Sequence, residues 1–560
     1  MSEPTPTSSR SERIWWIALL AATVINCSFQ IAWFWQFRAH NIMLDGINYI
    51  GLSRHLLDGD FKASVHGYWS PLISWIIAAA SLFSRNFILL GRLVTISSFL
   101  VSLLMLYVLT LRLWRSRVAA ALAILWFSTA RGMVSLSVGM IVADFILTAC
   151  VLAYFIFLVD ALRENRPRTW ILLGAAQALA FLAKAIAMPW LSISTVLAVL
   201  VQNARSPRRL VGSMLLAFLL PAVVWVSWGA ALRTKYGVFT TGYQLRANLM
   251  IDWRRTLSHH PRGDDLAFAD TRSLYDSYMV TEHPWSELQS FTFRNPQLLP
   301  MVFENELRNV PTALKEGLIL LSPGGVLALV AMATLLIQNR LRYRAEAAFT
   351  SIALLNAVVL VAAYCMLVFD GRYVIPIVPV LIAVSCPVLL PGRLAGSAPQ
   401  AAGWLRTTAL GLVAASTIFF ALYWASPFRT IDRDFEVSCY RAADLLRAQK
   451  PGGTLVSIGD GPYPDHGVGF EAGSYVAYLS GWRLVGGNAA LPDSSGADEL
   501  VQQVLASRAD AVAVWGSPGD PNYGSIVERI EQGVGSSSAN TIPDPRKGEV
   551  ATLIVLRKGN

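Results

Sequence analysis

Long uncharged stretches decide what this chain can fold into. Residues 14 to 37 run almost without a charge after the polar residues 1–13, and comparable stretches recur as far as residue 425. A helix over 14–37 is long enough to cross roughly 30 Å of hydrocarbon. The composition agrees: 54% of the 560 residues are hydrophobic and only 15% are charged, with a mean hydropathy of +0.48. A soluble globule needs more polar surface than this. The fold class is therefore a polytopic α-helical membrane protein. No small-residue cleavage site follows the first run, which reads as an uncleaved signal anchor.

The basic residues set the topology. Arg112, Arg115 and Arg117; Arg163, Arg166 and Arg168; Arg205, Arg208 and Arg209; Arg340, Arg342 and Arg344; and Arg393 and Arg406 fall between apolar runs. That is the pattern of cytoplasmic loops. An even number of crossings must separate consecutive clusters, and about eleven transmembrane helices satisfy the count. They fall near 14–37, 87–111, 118–136, 142–160, 169–185, 187–203, 209–232, 312–337, 347–369, 373–390 and 407–425. The apolar run 71–83 is short for a crossing and would put every later cluster on the wrong side, so it reads as an interfacial or re-entrant helix.

Three parts follow: a disordered cytoplasmic N-terminus over 1–13, a transmembrane domain over 14–425, and a C-terminal domain over 426–560. The transmembrane domain carries outer loops at 38–86 and 233–311. The C-terminal part turns polar, with Gly and Pro punctuation, apolar runs at 454–458 and 511–515 and a helical pattern at 497–507. It reads as an extramembrane α/β domain on the periplasmic or extracellular side. The location implied is a bacterial inner or plasma membrane, with the outer face carrying most of the polar mass.

The formal charge of +10 thus speaks for topology and against a nucleic-acid partner. Cys27, Cys150, Cys365 and Cys386 lie inside apolar runs and Cys439 alone in a polar segment, which argues against a disulfide framework. There is neither a phosphate-cradling Gly-Lys-Ser/Thr loop nor a Rossmann fingerprint opening a helix.

An ionisable side chain at membrane depth is costly and therefore informative. Residues 45–60 of the first outer loop read DGINYIGLSRHLLDGD. Ile47, Ile50, Leu52, Leu56 and Leu57 fall mostly on one face of a helix, which should lie in the interface plane. Asp45 opens it, either as an N-cap for the first turn or as a reactive carboxylate. Asp144 stands near the outer end of an otherwise apolar span; if it serves packing alone, Arg131 on the preceding helix is its natural partner. Lys184 lies at the tip of a helical hairpin, and Arg372 with Tyr373 precedes Pro376 and Pro379 on the same side. Singly, either cation would snorkel to the headgroups. Together, two acids and two bases at one membrane face suit a substrate with a phosphate at headgroup level.

In order and sidedness these segments resemble the GT-C superfamily of polyprenyl-phosphate-sugar-dependent glycosyltransferases, which includes protein O-mannosyltransferases and the lipid A aminoarabinose transferase. The elements are Asp45 with Tyr49 and Gly59-Asp60, Tyr68-Trp69-Ser70-Pro71, Gly91-Arg92-Leu93, Asp144, the segment Phe181 to Lys184, and Arg372-Tyr373. They span roughly 14–390. Two departures stand out: Gly46 occupies the place of a second acid, and Ser70 the place where the aminoarabinose branch carries a lysine.

The resemblance implies a polyprenyl-phosphate-linked sugar as donor, its tail held in membrane lipid. An acceptor hydroxyl on a protein, lipid or polysaccharide would approach from outside. Asp45 would be the general base, and attack opposite the leaving phosphate would invert the anomeric centre. Asp144 would orient the acceptor or hold Asp45 through a bridging cation. Lys184 and Arg372 would meet the lipid phosphate, with a hydrogen bond from Tyr373. Tyr49, Arg54, Tyr68 and Arg131 complete the substrate-binding candidates.

A divalent metal ion is the one cofactor the acids leave open. His259, His260, Asp264 and Asp265, and likewise Asp465, His466 and Glu471, have ligating types without recognisable ligand geometry. One rival reading is a lipid or glycolipid transporter or flippase with Asp144, Lys184 and Arg372 along its path. The absence of a repeat and the gathering of charge at one face weigh against it. The other is a non-catalytic envelope scaffold, for which Gly46 would mark a lapsed motif. Tyr243, Trp253, Tyr275, Tyr278 and Trp285 suit either stacking on sugar faces or interfacial anchoring.

Overall fold

The computed structural model describes residues 10–35, 43–130, 133–245, 248, 267–268, 298–338, 344–366, 370–389, 401–425, 434–449, 452–459, 469–487, 496–516, 521–534, 537–543 and 550–556. The chain is mostly helical. Its first part runs α1 (Arg10–Trp35), α2 (Met43–Leu57), α3 (Phe61–Ser64), α4 (Leu72–Ala80), α5 (Phe87–Trp114), α6 (Arg117–Thr129), α7 (Met133–Gly139) and α8 (Asp144–Glu164). Then come α9 (Pro167–Ala183), α10 (Ala187–Asn203), α11 (Pro207–Tyr236), α12 (Leu298–Gln338), α13 (Arg344–Cys365), α14 (Val378–Ser385) and α15 (Ala401–Ala425). Among the described residues five helices are long and apolar enough to cross a membrane: α1, α5, α8, α11 and, from Ala345, α13.

Local chemistry places the turns where the arginines fall. Asn86 caps α5 by accepting from Leu89 N at 3.0 Å, and Arg115 closes that helix in the left-handed region at φ 51°. Ser116 then caps α6. Pro167 and Pro207 open α9 and α11 in the first turn, where a missing N–H costs nothing. The 21 residues of α8 cover roughly 30 Å at the helical rise, with Asp144 at one end and Arg163 in the last turn at the other. There Arg163 donates to the carbonyls of Arg112 and Leu113 and pairs with Glu346, while Arg112 meets Asp160 at 2.5 Å. The arginine-rich turns thus gather at the end of α8 opposite Asp144.

Two expected spans are broken. The stretch 118–136 divides into α6 and α7, because Ala130 leaves the helix at ψ 146°. The stretch 373–390 becomes a 3-10 turn at Gly371–Val374, the eight-residue α14, and a second 3-10 turn at Cys386–Leu389. Pro376, Pro379 and Pro387 remove the N–H groups a continuous helix needs. All of α14 is nevertheless buried, so protein surrounds this short helix. The helix α12 is kinked at Ser322, just before Pro323.

The expectation of a one-faced interfacial helix after Asp45 needs correcting. Ile47, Ile50 and Leu52 are buried in α2, but so are Asn48, Ser53 and His55. Helices α3, α4, α5 and the C-terminal unit all pack on it, so protein surrounds it on more than one side.

The C-terminal elements are α16 (Asp434–Gln449), β2 (Thr454–Gly459), α17 (Gly469–Ser480), β3 (Arg483–Gly487), α18 (Ala497–Ala506), β4 (Ala511–Gly516), α19 (Pro521–Val534), β5 (Ser537–Pro543) and β6 (Val550–Leu556). With β1 (Ala267–Phe268) they build a sheet of order β1-β3-β2-β4-β6-β5. Strand β2 pairs parallel with β3 and β4, while β6 pairs antiparallel with β4 and β5. One face is sealed by α18 and α19 through Val456, Ile458, Leu500, Val504, Ile526 and Ile530. The other meets α16 and α17, and α17 in turn packs on α2. Strand β1, two residues from the expected outer loop 233–311, pairs antiparallel with β3 at the edge of the sheet.

Candidate active site

Four elements deliver charge to one place. Asp45 stands in the first turn of α2, inside the helix rather than capping it, so the capping reading does not hold. Its Oδ2 lies 2.9 Å from Arg372 Nη1. Asp370 caps the 3-10 turn by accepting from Arg372 N at 3.0 Å, and its Oδ2 is 2.8 Å from Arg372 Nε. Neither Nε nor Nη1 is aligned with its carboxylate as a hydrogen bond, although both are buried. These contacts are ionic, and the directional donor capacity of the guanidinium is left over.

The second pair is tighter. Lys184 ends α9 in extended backbone (φ −153°, ψ 130°), and its Nζ reaches Asp144 Oδ1 at 2.6 Å. The Asp144 side chain is 3% exposed and that of Lys184 13%. Asp144 also sits in the first turn of α8, where the helix dipole favours a carboxylate. Lys184 is thus the partner found for Asp144 among the described residues; Arg131, the partner expected for packing, lies outside them.

Tyr373 joins the two pairs. Its ring centroid is 5.1 Å from Lys184 Nζ and 5.6 Å from Arg372 Cζ, and the ring stacks on Tyr364 at 4.3 Å and 17°. The wall beside Asp45 is aromatic. Trp69 meets Tyr49 at 5.5 Å and Tyr68 at 4.6 Å, both edge-on. Tyr68 Oη donates to Asn248 Oδ1 at 2.8 Å. Burial first, and then the carboxylate of Asp45, push the phenols of Tyr49 and Tyr68 up, so both stay protonated donors.

The structure therefore gathers Asp45, Asp144, Lys184, Arg372, Tyr373, Tyr49 and Tyr68. It does not bring Arg54 to them. Arg54 lies nine residues along α2 from Asp45, about 13 Å away by helical rise. It covers the rings of Phe87 and Tyr478 at 4.8 and 5.3 Å. Tyr243 is buried against the rings of His66, Tyr236 and Tyr68, which withdraws it as an exposed sugar platform. Trp253, Tyr275, Tyr278 and Trp285 lie outside the described residues.

Asp370, Tyr364 and Asn248 belong to the cluster although the sequence assigns them no role. An Asp followed by Gly is a signal for a side chain that accepts from the backbone N–H two residues on and so caps its own turn. Nothing local points to Tyr364 or Asn248.

Each of the two acids already faces a cation of the chain, so the donor set does not fit a bridging divalent metal. Among the described residues no group of three His, Cys, Asp or Glu gathers. His259, His260, Asp264, Asp265, Asp465 and His466 lie outside the described residues, and Glu471 stands in α17.

Residues 68–257 match the family of dolichyl-phosphate-mannose-protein mannosyltransferases. The structure is similar to that of ArnT from Cupriavidus metallidurans bound to undecaprenyl phosphate. The TM-score is 0.54 at 14% identity, covering 96% of this chain and 98% of that one. It is also similar to the apo state of the same protein, with a TM-score of 0.55 at 15% identity, covering 96% and 97%. At such identity the likeness is one of fold. No curated protein matches the chain.

Proposed function

We propose that this chain is a membrane glycosyltransferase of the GT-C type, and that it moves a sugar from a polyprenyl phosphate to an acceptor hydroxyl at the outer face of a bacterial plasma membrane. In this reading the chain crosses about eleven times, with a cytoplasmic N-terminus and the α/β unit outside. The observation that carries it is the junction of Asp45–Arg372 and Asp144–Lys184 across Tyr373. The undecaprenyl phosphate held by the structurally similar ArnT names the kind of donor that suits it.

The chemistry follows from the residues. The donor's phosphate draws on Arg372 and Lys184, whose directional donors it can satisfy, and this loosens the hold of Arg372 on Asp45. The Asp45 carboxylate then takes the proton of the acceptor hydroxyl as that oxygen attacks the anomeric carbon. The bond from that carbon to the phosphate oxygen breaks with inversion, and the electron pair leaves on the polyprenyl phosphate. Two fixed cations in a partly dehydrated site stabilise the departing charge by several kcal/mol. Asp370 is half exposed, so solvent screens it, and the buried part of the site balances two acids against two cations.

The test is transfer from a panel of radiolabelled polyprenyl-phosphate sugars into acceptor fractions by membranes holding wild type or Asp45→Asn. Transfer by wild type alone supports the reading. Equal transfer by both moves the base to another residue, and no transfer from any donor raises the transporter reading above this one.

A further inference from the structure

His66, in the loop between α3 and α4, is only 1% exposed. Its Nδ1 accepts from Tyr68 N at 3.0 Å and from Trp69 N at 3.3 Å. A ring nitrogen that receives two N–H groups carries no proton, so in the neutral ring the proton is on Nε2. That nitrogen is 3.3 Å from Tyr243 Oη, to which it donates. The two residues it holds from one side, Tyr68 and Trp69, are the aromatic wall beside Asp45.

The end of α11 and the segment after it close on the same turn. Tyr243 N donates to Gly67 O at 2.8 Å, Gly67 N donates to Tyr236 Oη at 3.3 Å, and Lys235 Nζ donates to Val65 O at 2.8 Å. A Cβ on Gly67 would fall 2.5 Å from the Tyr243 ring, and one on Gly242 would fall 2.6 Å from Gly67 O. Two glycines thus allow an approach that no larger residue permits. The imidazole of His66 bonds with one nitrogen to the turn and with the other to the second loop.

We propose that His66 is a positioning residue for the transfer reaction. As the Nε2–H tautomer it fixes the Gly67–Trp69 turn, seats Tyr68 and Trp69 against Asp45, and ties the second outer loop to the site. Its activity arm rests on the transferase reading; its structural arm does not. His66→Asn keeps an acceptor where Nδ1 stands and so keeps the turn, as asparagine does in turns of its own. His66→Ala removes the bonds at both nitrogens, and His66→Gln places its polar atoms further out, near Nε2.

The experiment compares wild type with His66→Ala, →Asn and →Gln, measuring amide exchange over residues 65–72 and, with the donor identified by the panel, kcat and KM. His66→Ala is expected to exchange faster at Tyr68 and Trp69 and to lose kcat on the order of tenfold to a hundredfold, with KM for the donor little changed. His66→Asn should recover most of the protection and the rate, and His66→Gln should not. Alanine behaving as wild type, or asparagine no better than glutamine, overturns the proposal. If alanine fails to fold, the asparagine and glutamine comparison decides. If wild type transfers nothing, the transferase reading fails and exchange alone decides: equal protection in every variant overturns His66's role.

Discussion

Two of the polar regions within the helical part are built on opposite rules. The inner one is neutral. Tyr154 Oη meets Thr195 Oγ1 at 2.9 Å, Thr195 donates to Gln177 Oε1 at 3.1 Å, and Gln177 Nε2 donates to Ser192 Oγ at 2.8 Å. Ser194 donates to Asn356 Oδ1 at 2.6 Å, and Asn356 Nδ2 donates to Ile352 O at 2.7 Å. Partners there are aligned, and the network fastens α8, α9, α10 and α13 as polar groups do between membrane helices. The region around Asp45 and Asp144 is charged instead, and the Arg372 guanidinium meets two carboxylates without Nε or Nη1 being aligned as a hydrogen bond to either. A neutral, aligned network holds helices; a charged one with unaligned donors is the better candidate for a ligand site.

The sharpest way to break that contrast is Arg372→Ala. Transfer from the lipid-linked donor should fall on the order of a thousandfold, read as kcat/KM in reconstituted vesicles, and Arg372→Lys should recover only part because it lacks the planar fork. Next comes the Asp144–Lys184 pair. Lys184→Met alone leaves a buried carboxylate and should lower stability by about 3–5 kcal/mol. The double variant with Asp144→Asn should restore the melting temperature in detergent while transfer stays lost. Recovery of transfer in that double variant would reduce the pair to packing.

Smaller effects belong to the neutral network. Asn356→Leu should lower stability by about 0.6–1.7 kcal/mol and leave the rate within roughly twofold. A loss of rate as large as that of Arg372→Ala would erase the distinction between the two regions. Smallest of all, Tyr364→Phe keeps the ring stacked on Tyr373 and should change kcat/KM by less than about threefold.

Much of this was legible beforehand. Asp45, Asp144, Lys184 and Arg372 stand out because charge beside apolar runs is costly, and their common side follows from the arginine clusters. The pairing was not legible, because which acid meets which base depends on how α2, α8, α9 and the 3-10 turn at Gly371–Val374 are packed. Arg54 shows the limit of helix periodicity. It shares α2 with Asp45, yet nine residues of rise carry it to Phe87 and Tyr478. His66 carries no signal at all, since a lone histidine in a loop says nothing until its two nitrogens have neighbours.

By itself the sequence determined the membrane class, its long apolar helices and the short list of charged residues, because hydropathy and charge act along the chain. Only the tertiary structure decided the ion pairs, the Tyr373–Tyr364 stack and the clamp around His66. These need residues up to about three hundred positions apart to come within a few ångströms, Asp45 and Arg372 at 2.9 Å being the clearest case, and such contacts are set by packing between elements rather than by pattern within them.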